Sequence, residues 1–334
     1  MREPRPFATV CGLLLSGLLA LLAIAGPRFA GAGPADQHTD FVYAPPMLPR
    51  ILDAAGSVRR PFIYPLRLED RLEHRYSQDR TRTMPLRFFH DGQILSVDRD
   101  PSAPWFPLGS DALGRDLLAR LAVGARLSLG VALVAAVGAL LAGAAAGSVA
   151  GLAGGSVDDM VMRVSDFIIA LPAVYVVLAL RAVMPLVLSA AQVFWTLVLV
   201  LSAVGWPLAA RGVRAVIAAE RNREYAEAAR AMGVSRTRLL LRHLLPAARG
   251  FLVVQATLLV PAFVLAEATL SYVGLGFGEA YPSWGAMLRE AGQGRAFVEA
   301  PWLFAPALAI VISALAINLL AGERNPRTRQ SPTP

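Results

Sequence analysis

A polar, arginine-rich stretch between positions 224 and 246 separates two long apolar segments, and its residue types suit contact with another molecule. Four residues of its first half are spaced as on one face of an α-helix: Tyr225, Ala228, Ala229 and Met232. Gly233 stands where a glycine commonly ends a helix, Ser235 can cap a second, leucine-rich helix, and Pro246 closes that helix. Charge and shape of this kind suit recognition of another protein, so we predict a basic helix–turn–helix that docks on a partner.

Residue types that catalyse reactions or bind metals are sparse and scattered. All 32 basic residues are arginines, and the phosphate-binding loop of an ATPase needs a lysine, so any ATP that drives this protein is hydrolysed by another chain. The single cysteine, Cys11, excludes an internal disulfide. His38, His74 and His90 are far apart, and we expect them to be solvated surface residues. We therefore predict no catalytic residue, no cofactor, no metal site and no enzymatic activity.

The polar stretch at 224–246 lies between long apolar runs, so the elements that these runs form must position it. The chain is 55% hydrophobic, and several charge-free runs reach the roughly 20 residues that span a bilayer. We predict an all-α integral membrane protein with six transmembrane helices, at residues 7–26, 127–157, 167–180, 190–210, 250–266 and 300–322. A secretory signal peptide is the alternative for the first run, although the apolar core of such a peptide is usually only about 7–15 residues long.

The predicted helices divide the chain into four parts. Residues 1–28 hold the N-terminus and first helix, and 29–105 form a polar extracytoplasmic insert. Residues 106–322 form the core domain, with a cytoplasmic loop at 211–249, and 323–334 form a cytoplasmic tail. The loop carries nine arginines against three glutamates, and the short tail is also basic, so the positive-inside rule places both termini and the loop in the cytoplasm.

Smaller patterns add local expectations. Residues 110–126 have the leucine spacing of an amphipathic helix on the membrane surface. A four-residue period of glycines predicts either a groove for a second helix or merely a helix rich in small residues: Gly143, Gly147, Gly151 and Gly155. Arg163 and Asp166 can pair at the membrane edge, whereas Asp158 and Asp159 lack a third ligand for a metal.

Ordered motifs across residues 105–322 resemble the permeases of ABC importers, in the class that carries dipeptides, oligopeptides or nickel. The central stretch is similar to their EAA loop, with Glu227, Ala228, Ala229, Gly233, Leu245 and Pro246 at matching positions. Residues 107–116 (PLGSDALGRD) resemble the signature before the second helix, and RVSDFIIALP at 163–172 falls where a further motif is expected. LSYVGLG at 270–276 with PSWG at 282–285 resembles the stretch after the fifth helix.

The resemblance implies a function and a set of partners. It indicates the C-type permease subunit of a peptide importer in a bacterial inner membrane, with the EAA helix inserted into a cleft of an ATP-binding subunit. It further implies a second homologous permease, an extracytoplasmic solute-binding protein and surrounding lipid. In that interpretation Glu227 pairs with the ATPase, the two alanines let its surface close, and Gly233 supplies the turn. The insert is longer and the tail shorter than is common in the family.

Other interpretations of the same residues remain open. The solute could be nickel or another compound, and the polar stretch could be a solvated connecting loop. It also resembles a DNA-reading helix–turn–helix, but its place between two membrane spans argues against nucleic acid as a partner. An ion-coupled secondary transporter would need ionisable groups deep in the membrane, for which only Arg181 and Glu267 are available. Glu267 could shape the external mouth or reach water from its helix end, and Trp284 is expected to pack in a loop.

Overall fold

The computed structural model describes residues 6–52, 57–90, 93–97, 103–171, 175–176, 188–292 and 300–321. Its α-helices are α1 (Pro6–Ala25), α2 (Leu117–Ala153), α3 (Gly155–Ala170), α4 (Ala190–Glu220), α5 (Glu224–Ala231), α6 (Arg236–Leu239), α7 (Leu245–Ala247), α8 (Arg249–Val273), α9 (Trp284–Ala291) and α10 (Ala305–Ala321). A π-helical segment, Leu240–Leu244, joins α6 to α7, and short 3₁₀ turns cover Gly26–Arg28 and Pro301–Phe304.

Within those residues, five helical segments are long and apolar enough to cross a membrane. They are Phe7–Arg28, Leu117–Ala153, Ala190–Glu220, Arg249–Val273 and Pro301–Ala321. These agree with five of the six predicted spans, although α2 begins earlier and α4 ends later than expected. The predicted third span begins in α3, but Pro172 and residues 177–187 lie outside the described residues, so the sixth membrane helix stays a prediction.

The chain forms two compact units, the first of which comprises Met1–Leu14, Gly130–Glu267 and Ala314–Pro334. Within it, the predicted glycine groove receives α4. A Cβ added at Gly147 would lie 2.4 Å from the carbonyl oxygen of Ala210, and one at Gly143 would lie 2.5 Å from the Cβ of Ala209. A Cβ added at Gly151 would lie 2.8 Å from the Cβ of Ile217 in α4, whereas Gly155 starts α3 with open space around it. The groove is therefore confirmed for three of the four glycines.

Ion pairs join α3 to α4 in the same unit. The guanidinium Nε of Arg214 donates to both carboxylate oxygens of Asp158, at 2.9 and 3.1 Å. Asp166 pairs with Arg211, so the predicted pairing of Asp166 with Arg163 is wrong. The reason is that α4 continues to Glu220 as a helix, which brings its arginines alongside α3.

The second unit comprises Leu15–Leu129 and Ala268–Ser313, and it contains the insert. Six strands lie there: β1 (Arg50–Leu52), β2 (Val58–Ile63), β3 (Leu66–Asp70), β4 (Arg75–Gln78), β5 (Met84–His90) and β6 (Gln93–Val97). They form an antiparallel sheet of order β1-β2-β5-β6 and a separate β3-β4 hairpin. The all-α prediction is thus wrong for this segment, because its strands bury alternate apolar side chains around Phe41, Ile63 and Phe106.

The start of α2 also differs from expectation, because residues 110–116 are not helical. Gly109 and Gly114 have φ angles of +84° and +68°, which bend the chain into turns that favour glycine. Asp116 then accepts the backbone N–H groups of Leu118 and Ala119, at 2.8 and 3.3 Å, and so caps α2. The predicted surface helix over 110–126 is wrong, since its second half is the buried first part of α2.

Several single-residue expectations change as well. His38 and His74 are half-buried and packed edge-on against Phe106 and Tyr43, so they are not solvated surface residues. The side chain of His90 lies outside the described residues. Glu267 is fully buried and does not reach water. Trp284 is also fully buried, which confirms that it packs, but it begins α9 and does not lie in a loop.

Candidate coupling surface

The polar stretch identified in the sequence folds as a compact helical knob at the end of α4, and all of it lies in the first unit. Helix α5 carries Glu224 and Glu227 in its first turn and Arg230 in its last. This order of charges complements the helix dipole, with acids near the N-terminus and a base near the C-terminus. Local sequence therefore favours this helix even though it has only 8 residues.

A glycine turn ends α5. Gly233 has a φ of +79°, and its N–H donates to the carbonyl of Arg230 at 3.0 Å. The next N–H, of Val234, donates to Ala229 at 3.1 Å, which closes the last turn of the helix. No atom lies within 4 Å of where a Cβ on Gly233 would stand, so the backbone conformation rather than space demands glycine here.

The inner face of α5 packs on the membrane helices. Ala226 is fully buried and Ala229 is 8% exposed, and both belong to one apolar cluster with Val213 and Ile217 of α4. The cluster also takes in residues of the following segments, namely Leu239, Leu244 and Ala248, with Leu245 partly buried against them. The knob is therefore held to α4 and to the start of α8 by a shared apolar core.

The outer face of α5 is exposed. With 3.6 residues per turn, four residues lie opposite the buried alanines: Glu224, Glu227, Ala228 and Ala231. Tyr225 and Met232 flank them, with 41% and 78% of their surfaces exposed. We call these six residues the docking face. It combines two acids, two small residues and two large exposed apolar side chains, which is a composition suited to contact with a protein.

The structure separates two residues that the sequence analysis had grouped together. Ala228 is exposed on the docking face, as expected for a residue over which a partner closes. Ala229 instead packs in the apolar cluster and is 8% exposed, so its direct contact with a partner stays a prediction. One residue along a helix turns the side chain by about 100°, which is enough to move it from the outer to the inner face.

Arginine side chains fasten the knob to the carboxyl end of α2. Arg221 donates to the carbonyl oxygens of Gly151 and Leu152, at 2.9 and 3.3 Å, where α2 has no further backbone donors. Arg230 in turn donates to the carbonyl of Arg221 at 2.5 Å. Sequence reasoning missed this role of Arg221, because an arginine in a basic loop gives no signal of which helix end it caps.

The second half of the knob also departs from expectation. Ser235 does cap α6, since its Oγ accepts the N–H of Arg238 at 3.4 Å. Pro246 does not close the helix, because it stands in the first turn of α7 and the chain continues into α8. The π-helical turn at Leu240–Leu244 comes directly before it, where the missing N–H and the bulk of the proline ring disfavour a regular α-helical turn.

A second group of functional candidates lies in the other unit, around the start of α2. Arg115 and Arg120 both contact Glu290 of α9, at 2.9 and 2.8 Å, and both approach Asp111, at 2.7 and 3.2 Å. No side chain of these four is more than 14% exposed. The charges of the two carboxylates and the two guanidinium groups cancel, and this pairing offsets the energetic cost of removing them from water. Burial raises the pKa of Glu290, and the two arginines oppose that shift.

Asp116 joins the insert to α2 beside this cluster. Besides capping α2, it accepts the N–H groups of Gly31 and Ala32 from the beginning of the insert, at 2.8 and 3.3 Å. Burial raises the pKa of Asp116 to about 6, and these backbone hydrogen bonds oppose the shift. The carboxylate of Asp116 thus holds the first residues of the insert against the N-terminus of α2.

Comparison with known proteins supplies the family. The model of the family described as binding-protein-dependent transport system inner membrane component matches residues 139–322, more than half of the chain. The chain belongs to this family. The oligopeptide transport system permease protein OppC of Bacillus subtilis is 37% identical over 229 residues, which cover 68% of this chain and 72% of that protein.

Two further permeases of this kind are equally similar. The di/tripeptide transport system permease protein DppC of Pseudomonas aeruginosa is 37% identical over 218 residues, 64% of this chain and 69% of its own length. The dipeptide transport system permease protein DppC of Bacillus subtilis is 37% identical over 223 residues, 66% of this chain and 67% of its own length. As a member of this family the chain is a transport permease subunit.

The family match contains the whole knob but not the insert, since it begins at residue 139. Every residue predicted from the EAA resemblance therefore lies inside the matched part. The structure brings Ala229 and Leu245 into one apolar cluster, leaves Glu227 and Ala228 exposed, and places Gly233 at the turn between them.

Proposed function

We propose that this permease is the membrane-spanning subunit of an ATP-driven importer and that it forms part of the translocation pathway for peptides. Membership of the family supports transport, and the names of the similar oligopeptide and dipeptide permeases support peptides as the solute. The absence of lysine from the sequence supports hydrolysis of ATP on a separate chain.

The docking face is the proposed contact with the ATPase. The observation that carries this proposal is that α5 exposes Glu227 and Ala228 while its inner face is packed rigidly on α4. A partner that binds the outer face would displace α5 when it moves. The shared apolar core and the hydrogen bonds of Arg221 would transmit that displacement to the membrane helices. Alternating access to the two sides of the membrane would follow from their movement.

The remaining features of the complex follow from the same proposal. The chain would have six membrane helices, with both termini and the knob in the cytoplasm of a bacterium and the insert outside the inner membrane. Its partners would be one or two ATP-binding subunits, a second homologous permease and an extracytoplasmic solute-binding protein. Nickel or another solute is the alternative cargo.

Uptake into vesicles tests this function. The chain is co-expressed with its candidate partner subunits, reconstituted with the solute-binding protein outside and ATP inside, and supplied with a radiolabelled tripeptide. We expect accumulation that requires ATP and persists when ion gradients are collapsed. Accumulation that needs a proton or sodium gradient but no ATP would instead indicate a secondary transporter. Accumulation of nickel in place of the peptide would reassign the solute.

A further inference from the structure

An open cleft of about 410 Å³ lies in the second unit, between the insert and the segment that leads into α10. Its walls include the aromatic residues Tyr43, Tyr76 and Trp302, together with His74, and its rim carries Glu73 and Arg75. Ligand sites of small molecules have this size and this composition of mostly apolar walls with a few polar groups. The cleft belongs to the second unit, and the docking face belongs to the first.

The walls are built on the motif that precedes α2. The backbone N–H of Tyr43 donates to the carbonyl of Asp111 at 3.1 Å, and the indole N–H of Trp302 donates to the carbonyl of Ser110 at 3.1 Å. The hydroxyl of Tyr76 donates to the carbonyl of Val42 at 2.6 Å. Hydrogen bonds thus fix the backbone of Tyr43 and the rings of Tyr76 and Trp302 before any ligand arrives.

Two of the lining residues have a strained backbone. Tyr43 and His74 have φ angles of 53° and 48°, a region that bulky residues rarely adopt. Their rings meet edge to face, with centroids 5.2 Å apart. Strain of this kind persists only where the surroundings enforce it, and it clusters at ligand sites. In addition, Nδ1 of His74 is buried without a hydrogen-bond partner among the described residues, which leaves this nitrogen available for a hydrogen bond with a ligand.

The charges at the rim are available to a ligand. Glu73 and Arg75 pair with each other, but their side chains are 59% and 65% exposed. Such an exposed pair contributes little to stability, so each member can exchange its partner for a charge on a ligand. Arg75 suits a terminal carboxylate, Glu73 suits a terminal ammonium group, and the aromatic walls suit an aromatic side chain between them.

We propose that this cleft binds short zwitterionic peptides that carry an aromatic side chain, as a site on the extracytoplasmic side of the permease. The choice of peptide rests on the proposed function, whereas the site itself rests on the cleft. Because one wall comes from the insert and another from Trp302, a bound peptide would contact both the insert and the entry to α10.

Binding to the full-length chain in lipid nanodiscs tests the proposal, with radiolabelled Ala-Phe-Ala as the probe in equilibrium dialysis. We expect saturable binding, with Kd about tenfold higher for Ala-Ala-Ala and for the N-acetylated, C-amidated peptide, since a tenfold change corresponds to one modest contact. Arg75→Gln and His74→Asn should each raise Kd about tenfold as well. Asparagine is chosen at position 74 because it tolerates a positive φ. Arg60→Gln, an exposed arginine of β2 outside the cleft, should leave Kd unchanged.

Other results overturn the proposal. Equal affinity of all variants would place the peptide elsewhere, and loss of solute-binding-protein capture without a change in peptide Kd would make the cleft a protein contact. If the wild type binds no peptide yet supports ATP-dependent uptake in vesicles, the cleft proposal fails while the proposed function stands. If uptake fails too, the proposed function itself is wrong.

Discussion

At the scale of single residues, Ala228 and Ala229 are chemically identical neighbours in opposite environments. Ala228 is exposed on the docking face, and Ala229 is 8% exposed within the apolar cluster. A motif that contains both therefore combines a proposed contact position with a packing position. The distinction depends on which way α5 is rotated about its axis, and residue types alone do not fix that rotation.

Leucine substitutions at the two positions separate these roles. Ala229→Leu should overfill the cluster and lower the free energy of unfolding by about 1–3 kcal/mol. Ala228→Leu should change it by no more than about 0.5 kcal/mol, because the side chain enters solvent. Denaturant unfolding of the purified chain in detergent measures both. Equal destabilisation by the two substitutions would mean that α5 is rotated differently from the structure described.

The raised pKa of Asp116 predicts a dependence of stability on pH. Because its pKa is about 6 in the folded chain and 3.8 without burial, the folded state binds more protons between those values. The free energy of unfolding should therefore fall as pH rises from about 4 to about 6, by roughly 3 kcal/mol from this residue. Asp116→Asn should lack that component, so the difference between wild type and variant in unfolding midpoint should change over this window. A constant difference across the window would contradict the assignment.

At the scale of elements, the sequence predicts which segments form helices better than it predicts where a helix ends or which segment it packs against. The long apolar runs revealed five membrane helices, and the period of glycines revealed the groove, because both are properties of one face of one helix. The extension of α4 to Glu220 escaped prediction, since charged residues there looked like a loop. The strands of the insert were not predicted either, since their alternating apolar residues form short patterns interrupted by arginines. The cluster around Glu290 was not predicted because its members are far apart in the chain.

The glycine groove provides a test at this scale. Gly147→Ala should force α2 from α4, because its Cβ would lie 2.4 Å from a backbone oxygen that has no free rotation to escape. We expect a loss of about 1–3 kcal/mol in the free energy of unfolding. Gly250→Ala is the matched control, since nothing lies within 4 Å of its added Cβ and alanine favours helix. If both variants are as stable as wild type, the close approach of α2 and α4 does not exist.

At the scale of the whole molecule, the orientation in the membrane decides which surface meets which partner. From the positive-inside rule we predict that the arginines of the knob face the cytoplasm, whereas the insert is too long for that rule to govern it. A docking face for an ATPase is useful only on the cytoplasmic side, and a peptide cleft only on the other. Both proposals therefore require the same topology.

Cysteine labelling measures this topology. In a Cys11→Ser background, Leu72→Cys adds a thiol in the insert at a residue that is 93% exposed, and Thr237→Cys adds one at an exposed position of α6. A membrane-impermeant maleimide should label position 72 in right-side-out vesicles and should label position 237 only after permeabilisation. The reverse pattern would invert the chain in the membrane.

The measurement that tests the central claim most directly is capture of the ATPase on the docking face. Tagged permease is purified in mild detergent from cells that also express the ATP-binding subunits, and bound ATPase and its ATP turnover are measured. Ala228→Arg is compared with Ala247→Arg, since both replace an exposed alanine, the first on the docking face and the second just after the knob. We predict that Ala228→Arg loses the ATPase while the permease unfolds at the wild-type temperature, and that Ala247→Arg retains it. Retention of the ATPase by both variants, or its absence from the wild type, would contradict the assignment of the docking face as the coupling surface.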